Sequence, residues 1–467
     1  MKKYKYKHSG KQFVIRTATV GLLLNMLLSP GSAAFANAVA TTATAETGTA
    51  ETGAATTAPA ANAVKIPSVS SLELKLNSAI LIEATTGEVL MSVNADEALP
   101  PASMTKMMTE YLVTEAVNSG QITWDQKVTV KENAAKQVGS RIFLAEGDIH
   151  TVRELYIAMA VGSANDATVA LAELVSGSEK EFVKLMNETA QKMGMKTAYF
   201  INSTGLDRAD MPKLYQPEED RETVMSARDA ATLARYIVTE HPDFTEFTTI
   251  QSYKFRERDT KPMINYNWML EANKSIPNFK AYAYEGLDGL KTGHTTNAGN
   301  CFTGTAVRDG MRLISVVMGA DSEAHRFTET KKVLDFGFDN FEIKQVAAAK
   351  SIIEGNETVP VEKGKKKDVS VVTDAGVTFI VPKGTSNPQI TTTVAVNDPS
   401  TLVAPIAAAS QVGKVTYSYE VEGMNKQEQT VNLITAEEAP KAGWFKLLMR
   451  GIGEFFSDLF SGIKNLF

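Results

Sequence analysis

The order of strand-like and helical sequence restricts this fold more than any other feature. Ala79-Ile80-Leu81-Ile82-Glu83 and Glu88-Val89-Leu90-Met91-Ser92-Val93 flank Thr85-Thr86-Gly87, and the pair reads as a hairpin. An apolar helical pattern then begins at Ser103, after Pro100-Pro101. Further helices are expected over Val152 to Ala160, Asp166 to Val175, Glu179 to Met193 and Ala227 to Thr239. Strands return at Leu290-Lys291-Thr292, Cys301 to Val307 and Arg312 to Gly319, and a helix over His325 to Phe338 closes the region. Strands at both ends of a helical middle point to a mixed α/β layered domain and against a repeated βαβ barrel.

From about Val346 the pattern changes to short β-branched or alternating runs, such as Val369-Ser370-Val371, Val377 to Val381 and Lys414 to Val421. Gly, Pro, Asn and Asp turns separate them, as in a small all-β domain. Lys363 and Lys365 to Lys367 read as a solvated basic loop. Beyond Lys441, Trp444, Leu448, Ile452, Phe455, Leu459 and Ile463 recur at steps of three or four, opposite Lys446, Arg450, Glu454 and Asp458. That is an amphipathic helix with charges too evenly spread for a membrane span. It either packs on the β domain or lies in a membrane interface, and its aromatic content favours the second.

The chain begins with Lys2, Lys3, Lys5, Lys7, Lys11 and Arg16, a short apolar core from Val20 to Leu28, and small residues ending near Ala38. This reads as a secretory signal over 1–38. An Ala- and Thr-rich linker is expected over 39–64, the main domain over 65–345, the β domain over 346–438 and the anchor helix over 439–467. A net charge of −6 does not suggest a nucleic-acid partner. The lone Cys301 excludes an intramolecular disulfide, so stability must come from cores. His8, His150, His241, His294 and His325 lack close ligand spacing, so no metal and no cofactor are expected.

Three short runs carry chemistry: Ser103-Met104-Thr105-Lys106, Ser163-Ala164-Asn165 and Lys291-Thr292-Gly293. A serine hydroxyl is a poor nucleophile until a neighbouring base takes its proton. Lys106, three residues on, can serve if burial and nearby cations lower its proton affinity. Ser163 could relay a proton and the Asn165 amide could hold a substrate carbonyl. Thr292 could grip a carboxylate under the charge of Lys291, while Gly293 permits close backbone approach. Taken singly, each run has a bland reading, such as an N-cap serine followed by a surface lysine.

Together their order, spacing and element types match the motif set of penicillin-binding proteins and class A β-lactamases. The surrounding sequence resembles low-molecular-mass penicillin-binding proteins of the D-alanyl-D-alanine carboxypeptidase type. Pro101 to Thr109, Ser163 to Ala167, Phe182 to Asn187, Met193-Gly194-Met195, Asn202 to Leu206 and Asp288 to Thr295 carry the likeness, within about Pro67 to Phe341. The resemblance implies an α/β (α+β) penicillin-binding/β-lactamase-like transpeptidase domain, a small all-β domain and a C-terminal amphipathic helix. It further implies that Ser103 is the acylated nucleophile and Lys106 the proton acceptor, with Ser163 and Lys291 assisting proton transfer. Asn165 would position the donor peptide, and backbone N–H groups of Ser103 and His294 would form an oxyanion hole. Thr292, beside Gly293, would bind the terminal carboxylate, with Arg326 as a helper or else an ordinary helix-surface arginine. The implied partners are peptidoglycan stem peptides ending in D-Ala-D-Ala, β-lactams as covalent inhibitors, and the outer face of the cytoplasmic membrane.

Two features depart from the family pattern. Ala164 stands where glycine is frequent, and the segment from Arg208 to Thr223 is long and acidic, a solvated loop or a lid near the cleft. A class A β-lactamase would carry its Glu-x-x-Leu-Asn run after the second motif. The match here, Glu73 to Asn77, precedes Ser103 and cannot take that role. A low-turnover penicillin-binding sensor or wall-binding scaffold is the remaining rival, and no residue of the motifs is disabled in its favour.

Overall fold

The computed structural model describes residues 65–464, and the expected signal (1–38) and linker (39–64) lie outside the described residues. Ser78–Glu83 is buried along its whole length, which explains a continuous apolar run in place of an alternating one. It pairs antiparallel with Val89–Val93 on one side and Met311–Ala320 on the other. Gly299–Arg308 and then Leu287–Thr295 complete a five-stranded antiparallel sheet. The N-terminal hairpin is thus joined to the distant strands, and the helical middle is an insertion between them.

The sheet is covered on both faces. Ile80, Ile82, Ile314, Val316 and Met318 join the core of the helical middle, with Met104, Met107 and Met108. Ala79, Leu81, Phe302, Leu313 and Val317 pack with Phe327, Val333 and Leu334 of the Glu323–Asn340 helix. Each such buried Val, Leu, Ile, Met or Phe side chain contributes roughly 1.5–3 kcal/mol by leaving water. The helices Val152–Gly162, Asn165–Ser176, Glu179–Lys192 and Ala227–Glu240 follow the sequence expectation. Side-chain caps fix several starts: Thr151 forms a capping box with Glu154, and Ser178, Ser226 and Ser322 each accept from a first-turn N–H.

The helix expected from Ser103 begins differently. Ala102–Thr105 is a 3-10 turn, and the α-helix proper is Lys106–Asn118, without a side-chain cap. The turn is closed by the Met104 N–H bonding the Pro101 carbonyl, with Ala102 at φ 48°.

Phe341–Ala347 follows the Glu323–Asn340 helix directly, runs through the boundary expected at 345/346, and pairs with Val377–Pro382. Five more antiparallel strands form a second sheet in the order Thr358–Pro360, Asp368–Thr373, Gln427–Thr435, Gln411–Tyr419, Ile390–Val396. Val359, Val371, Phe379, Val415, Tyr417 and Leu433 fill the core of this all-β part. The tail helix, Trp444–Lys464, touches it with its polar side. Lys446 Nζ donates to the Lys365 carbonyl at 2.8 Å and Arg450 Nη1 to the Gly364 carbonyl at 3.1 Å. Trp444, Phe445, Leu448, Met449 and Ile452 are exposed. No helix among the described residues is long and apolar enough to cross a membrane.

Candidate active site

In a 3-10 turn, side chains at i and i+3 eclipse one another. The turn before the Lys106–Asn118 helix therefore sets Ser103 and Lys106 on one line, and Lys106 Nζ lies 3.1 Å from Ser103 Oγ. Lys106 is fully buried, and a lone ammonium there would be costly. Its other two partners are Asn165 Oδ1 at 2.6 Å and the Thr204 carbonyl at 2.8 Å, neither of them a carboxylate. Burial, followed by the charge of Lys291, holds the Lys106 amine well below the usual lysine range, while Glu110 and Asp166 pull it upward. A neutral amine in contact with a hydroxyl is the state a general base needs.

The loop behind the turn explains the Asn202 to Leu206 stretch. Asn202 Oδ1 accepts from the Thr204 and Gly205 N–H groups, which shapes the loop and presents the Thr204 carbonyl. Gly205 sits at φ 82°, and a Cβ on it would lie 1.9 Å from the Ala102 carbonyl oxygen. Only glycine fits that approach.

Ser163 caps the Val152–Gly162 helix in the left-handed region, at φ 53°, a strained conformation for serine. Lys291 Nζ donates to Ser163 Oγ at 3.0 Å, making a second serine–lysine pair. Burial lowers the Lys291 amine, Glu110 opposes that shift, and Arg326 adds to it. The Leu287–Thr295 strand comes against the Ser103 turn at Gly293, where a Cβ would meet the Pro101 carbonyl oxygen at 2.5 Å and the Met104 nitrogen at 3.2 Å. All three motifs thereby meet at one cleft.

That cleft, of about 450 Å³, is lined by Ser103, Ser163, Thr292, Gly293, His294 and Arg326. Arg326 is buried, not a helix-surface residue; its Nη1 donates to the Gly293 carbonyl at 3.2 Å. Asn165 is brought to the lysine more than to the cleft: Oδ1 serves Lys106, and Nδ2 donates to the Val138 carbonyl at 2.6 Å. These bonds use Oδ1 and one of the two Nδ2 hydrogens; the second is the donor that the sequence reading gave to a substrate carbonyl.

Ser140, Tyr266, Asn300 and Glu323 also line the cleft, and the sequence reading missed them. Asn300 stands opposite His294 in the strand register, so period-two pairing carried a signal for it. Ser140 is held by its carbonyl, which accepts from the Asn165 N–H at 2.7 Å, a tie with no sequence signature. Glu110, one turn beyond Lys106, was missed as well. It is buried with Oε1 lacking a hydrogen-bond partner, and burial pushes its carboxyl upward against the pull of both lysines. Asp207, just before the acidic segment of 208–223, accepts from Thr295 Oγ1 at 3.3 Å and Asn297 Nδ2 at 2.9 Å, at the end of the Leu287–Thr295 strand.

Chemically, the arrangement offers a hydroxyl beside a deprotonatable amine, a second hydroxyl–amine pair for proton transfer, and a cationic end formed by Lys291 and Arg326. Residues 63–322 match the family described as D-alanyl-D-alanine carboxypeptidase, and residues 341–441 match the C-terminal domain of penicillin-binding protein 5. The D-alanyl-D-alanine carboxypeptidase DacF of Bacillus subtilis (strain 168) is 34% identical over 389 residues, 83% of this chain and 91% of that protein. DacD of Escherichia coli (strain K12) is 32% identical over 80% of this chain and 90% of its own length. Among solved structures, a peptidoglycan synthesis regulatory factor (PBP3) from Streptococcus pneumoniae superposes with a TM-score of 0.67 at 30% identity, covering 78% of this chain and 99% of that one. Penicillin binding protein 5 from Haemophilus influenzae gives 0.63 at 30% identity, with coverages of 79% and 98%.

Proposed function

The chain belongs to the D-alanyl-D-alanine carboxypeptidase family, and from that premise we propose that it trims the terminal D-alanine from peptidoglycan pentapeptide stems through an ester on Ser103. The observation that carries this reading is the contact of a fully buried Lys106 amine with Ser103 Oγ, 3.1 Å apart, beneath the Lys291-Thr292-Gly293 strand.

In the proposed acylation, neutral Lys106 takes the Ser103 proton as Oγ attacks the carbonyl carbon of the D-Ala–D-Ala peptide bond. Backbone N–H groups of Ser103 and His294 hold the developing oxyanion. As the C–N bond breaks, the proton held by Lys106 passes to the leaving amine through Ser163, which Lys291 contacts, and Lys106 is neutral again. Thr292 and Arg326 hold the substrate carboxylate, and Asn165 orients Lys106. Water then attacks the ester and gives a proton to Lys106, which returns it to Ser103 Oγ as the ester C–O bond breaks, regenerating the free serine and the neutral amine. β-Lactams would acylate the same hydroxyl.

Export by the basic and apolar leader, followed by interfacial anchoring through the tail helix, would hold the enzyme at the outer face of the cytoplasmic membrane. The exposed Trp444, Phe445, Leu448 and Ile452 support the anchoring half of this reading. Incubation with a synthetic stem pentapeptide tests the activity. Steady release of one D-alanine per peptide, abolished in S103A, is expected; release that survives S103A would refute the assignment.

A further inference from the structure

Arg326 has five N–H donors in a planar fork, the geometry that suits a carboxylate. In the cleft its Nη1 side is given to the Gly293 carbonyl, and its Nη2 already donates to Glu323 Oε1 at 2.9 Å. Its Nε is buried without a hydrogen-bond partner. Glu323 is itself a cleft-lining residue, with a half-exposed side chain, three positions before Arg326 on the same helix. The guanidinium that faces an incoming carboxylate is therefore already holding one.

We propose that Glu323 is an internal competitor: its carboxylate occupies Arg326 in the free enzyme and must be displaced, or share the cation, when the C-terminal carboxylate of the substrate docks. This rests on the carboxypeptidase reading and adds a residue that sets substrate affinity. Two like charges on one cation oppose each other, so Glu323 raises the apparent KM for substrates ending in a free carboxylate. A glutamate at the first position of a helix also complements the helix dipole. That role alone would act equally on every ligand, and alone would leave KM unmoved. Arg326 is buried but the Glu323 carboxylate is half-exposed, so water can take up that carboxylate when it gives way to a ligand. Glu323 touches the substrate's binding partner, not the reacting bond, so it is a positioning residue.

The test compares the unaltered enzyme with E323Q on a stem pentapeptide ending in D-alanine. The same peptide ending in D-alanine amide serves as a competitive inhibitor, and melting temperatures report folding. The expected result is a KM about three- to fivefold lower in E323Q, with little change in kcat and no change in the inhibition constant of the amide. In an R326Q background the E323Q effect should vanish. An unchanged or higher KM in a folded E323Q, or an equal shift for the amide, overturns the inference while leaving the carboxypeptidase reading intact. If the unaltered protein releases no D-alanine at all, the functional reading fails and this inference falls with it.

Discussion

In the cleft, Lys106 and Lys291 are amines buried almost completely; on the tail helix, Trp444, Phe445 and Leu448 are large apolar side chains left in the open. The two regions depart from ordinary burial in opposite directions, and the compensation differs. Each cleft amine is matched with oxygen acceptors: Ser103, Asn165 and Thr204 for Lys106, Ser163 and the Thr292 carbonyl for Lys291. The apolar face of the tail is not compensated in that way: Trp444, Phe445 and Leu448 stay exposed while Lys446 and Arg450, on the polar side, bond the Gly364-Lys365 backbone. Buried amines whose proton affinity is lowered, gathered at a cleft, speak of chemistry done there. A row of exposed apolar groups on one helix speaks of a surface that is supplied from outside.

The contrast can be broken most decisively at Lys106. K106Q keeps a polar side chain of similar reach but cannot take the serine proton, and kcat/KM should fall by about 10²–10⁴-fold in a D-alanine release assay. Activity near that of the unaltered enzyme would show that the buried amine is only structural. Next comes Gly293: a methyl group at that position pushes against the Pro101 carbonyl, so G293A should slow penicillin acylation by about a hundredfold. Stopped-flow acylation rates would check this, and an unaffected rate would show that the strand need not seat against the turn.

Removing residues 439–467 addresses the other region. Partition onto anionic lipid vesicles should drop by at least about tenfold while hydrolysis of a soluble peptide stays the same. Equal sedimentation with vesicles before and after truncation would make the exposed face a packing surface of another kind. The smallest effect is expected at Glu110. Its charge raises the proton affinity of both lysines, with Asp166 acting in the same sense on Lys106. In E110Q, Lys106 should lose its proton more readily, moving the acid limb of the acylation pH profile downward by less than about one unit. A limb that stays put or rises would show that the carboxyl is not felt at the cleft.

Much of this was legible before any coordinates. The hairpin near Gly87, the helices of the middle and the three returning strands followed from apolar periodicity, which reflects burial on one or both faces. The Ser103, Ser163 and Lys291 motifs were legible because their chemistry depends on side-chain identity. Other parts depend on what the backbone does at a distance. The Thr204 carbonyl reaches Lys106 across 98 residues, and nothing in a Thr codon position advertises a carbonyl oxygen. Asn165 read as a substrate ligand, and only packing shows that its Oδ1 also accepts from Lys106 while one Nδ2 hydrogen goes to Val138. Ser103 looked like a helix start, whereas Ala102 at positive φ makes a tighter turn there. That turn also brings the hydroxyl into line with the lysine.

The most direct test is to label the protein with benzylpenicillin, digest it, and locate the adduct by mass spectrometry. A single penicilloyl group on the peptide containing Ser103, absent from K106Q at the same exposure time, is the predicted result. An adduct on Ser163 or another peptide, or none on a folded enzyme, would contradict the claim that a buried lysine activates Ser103.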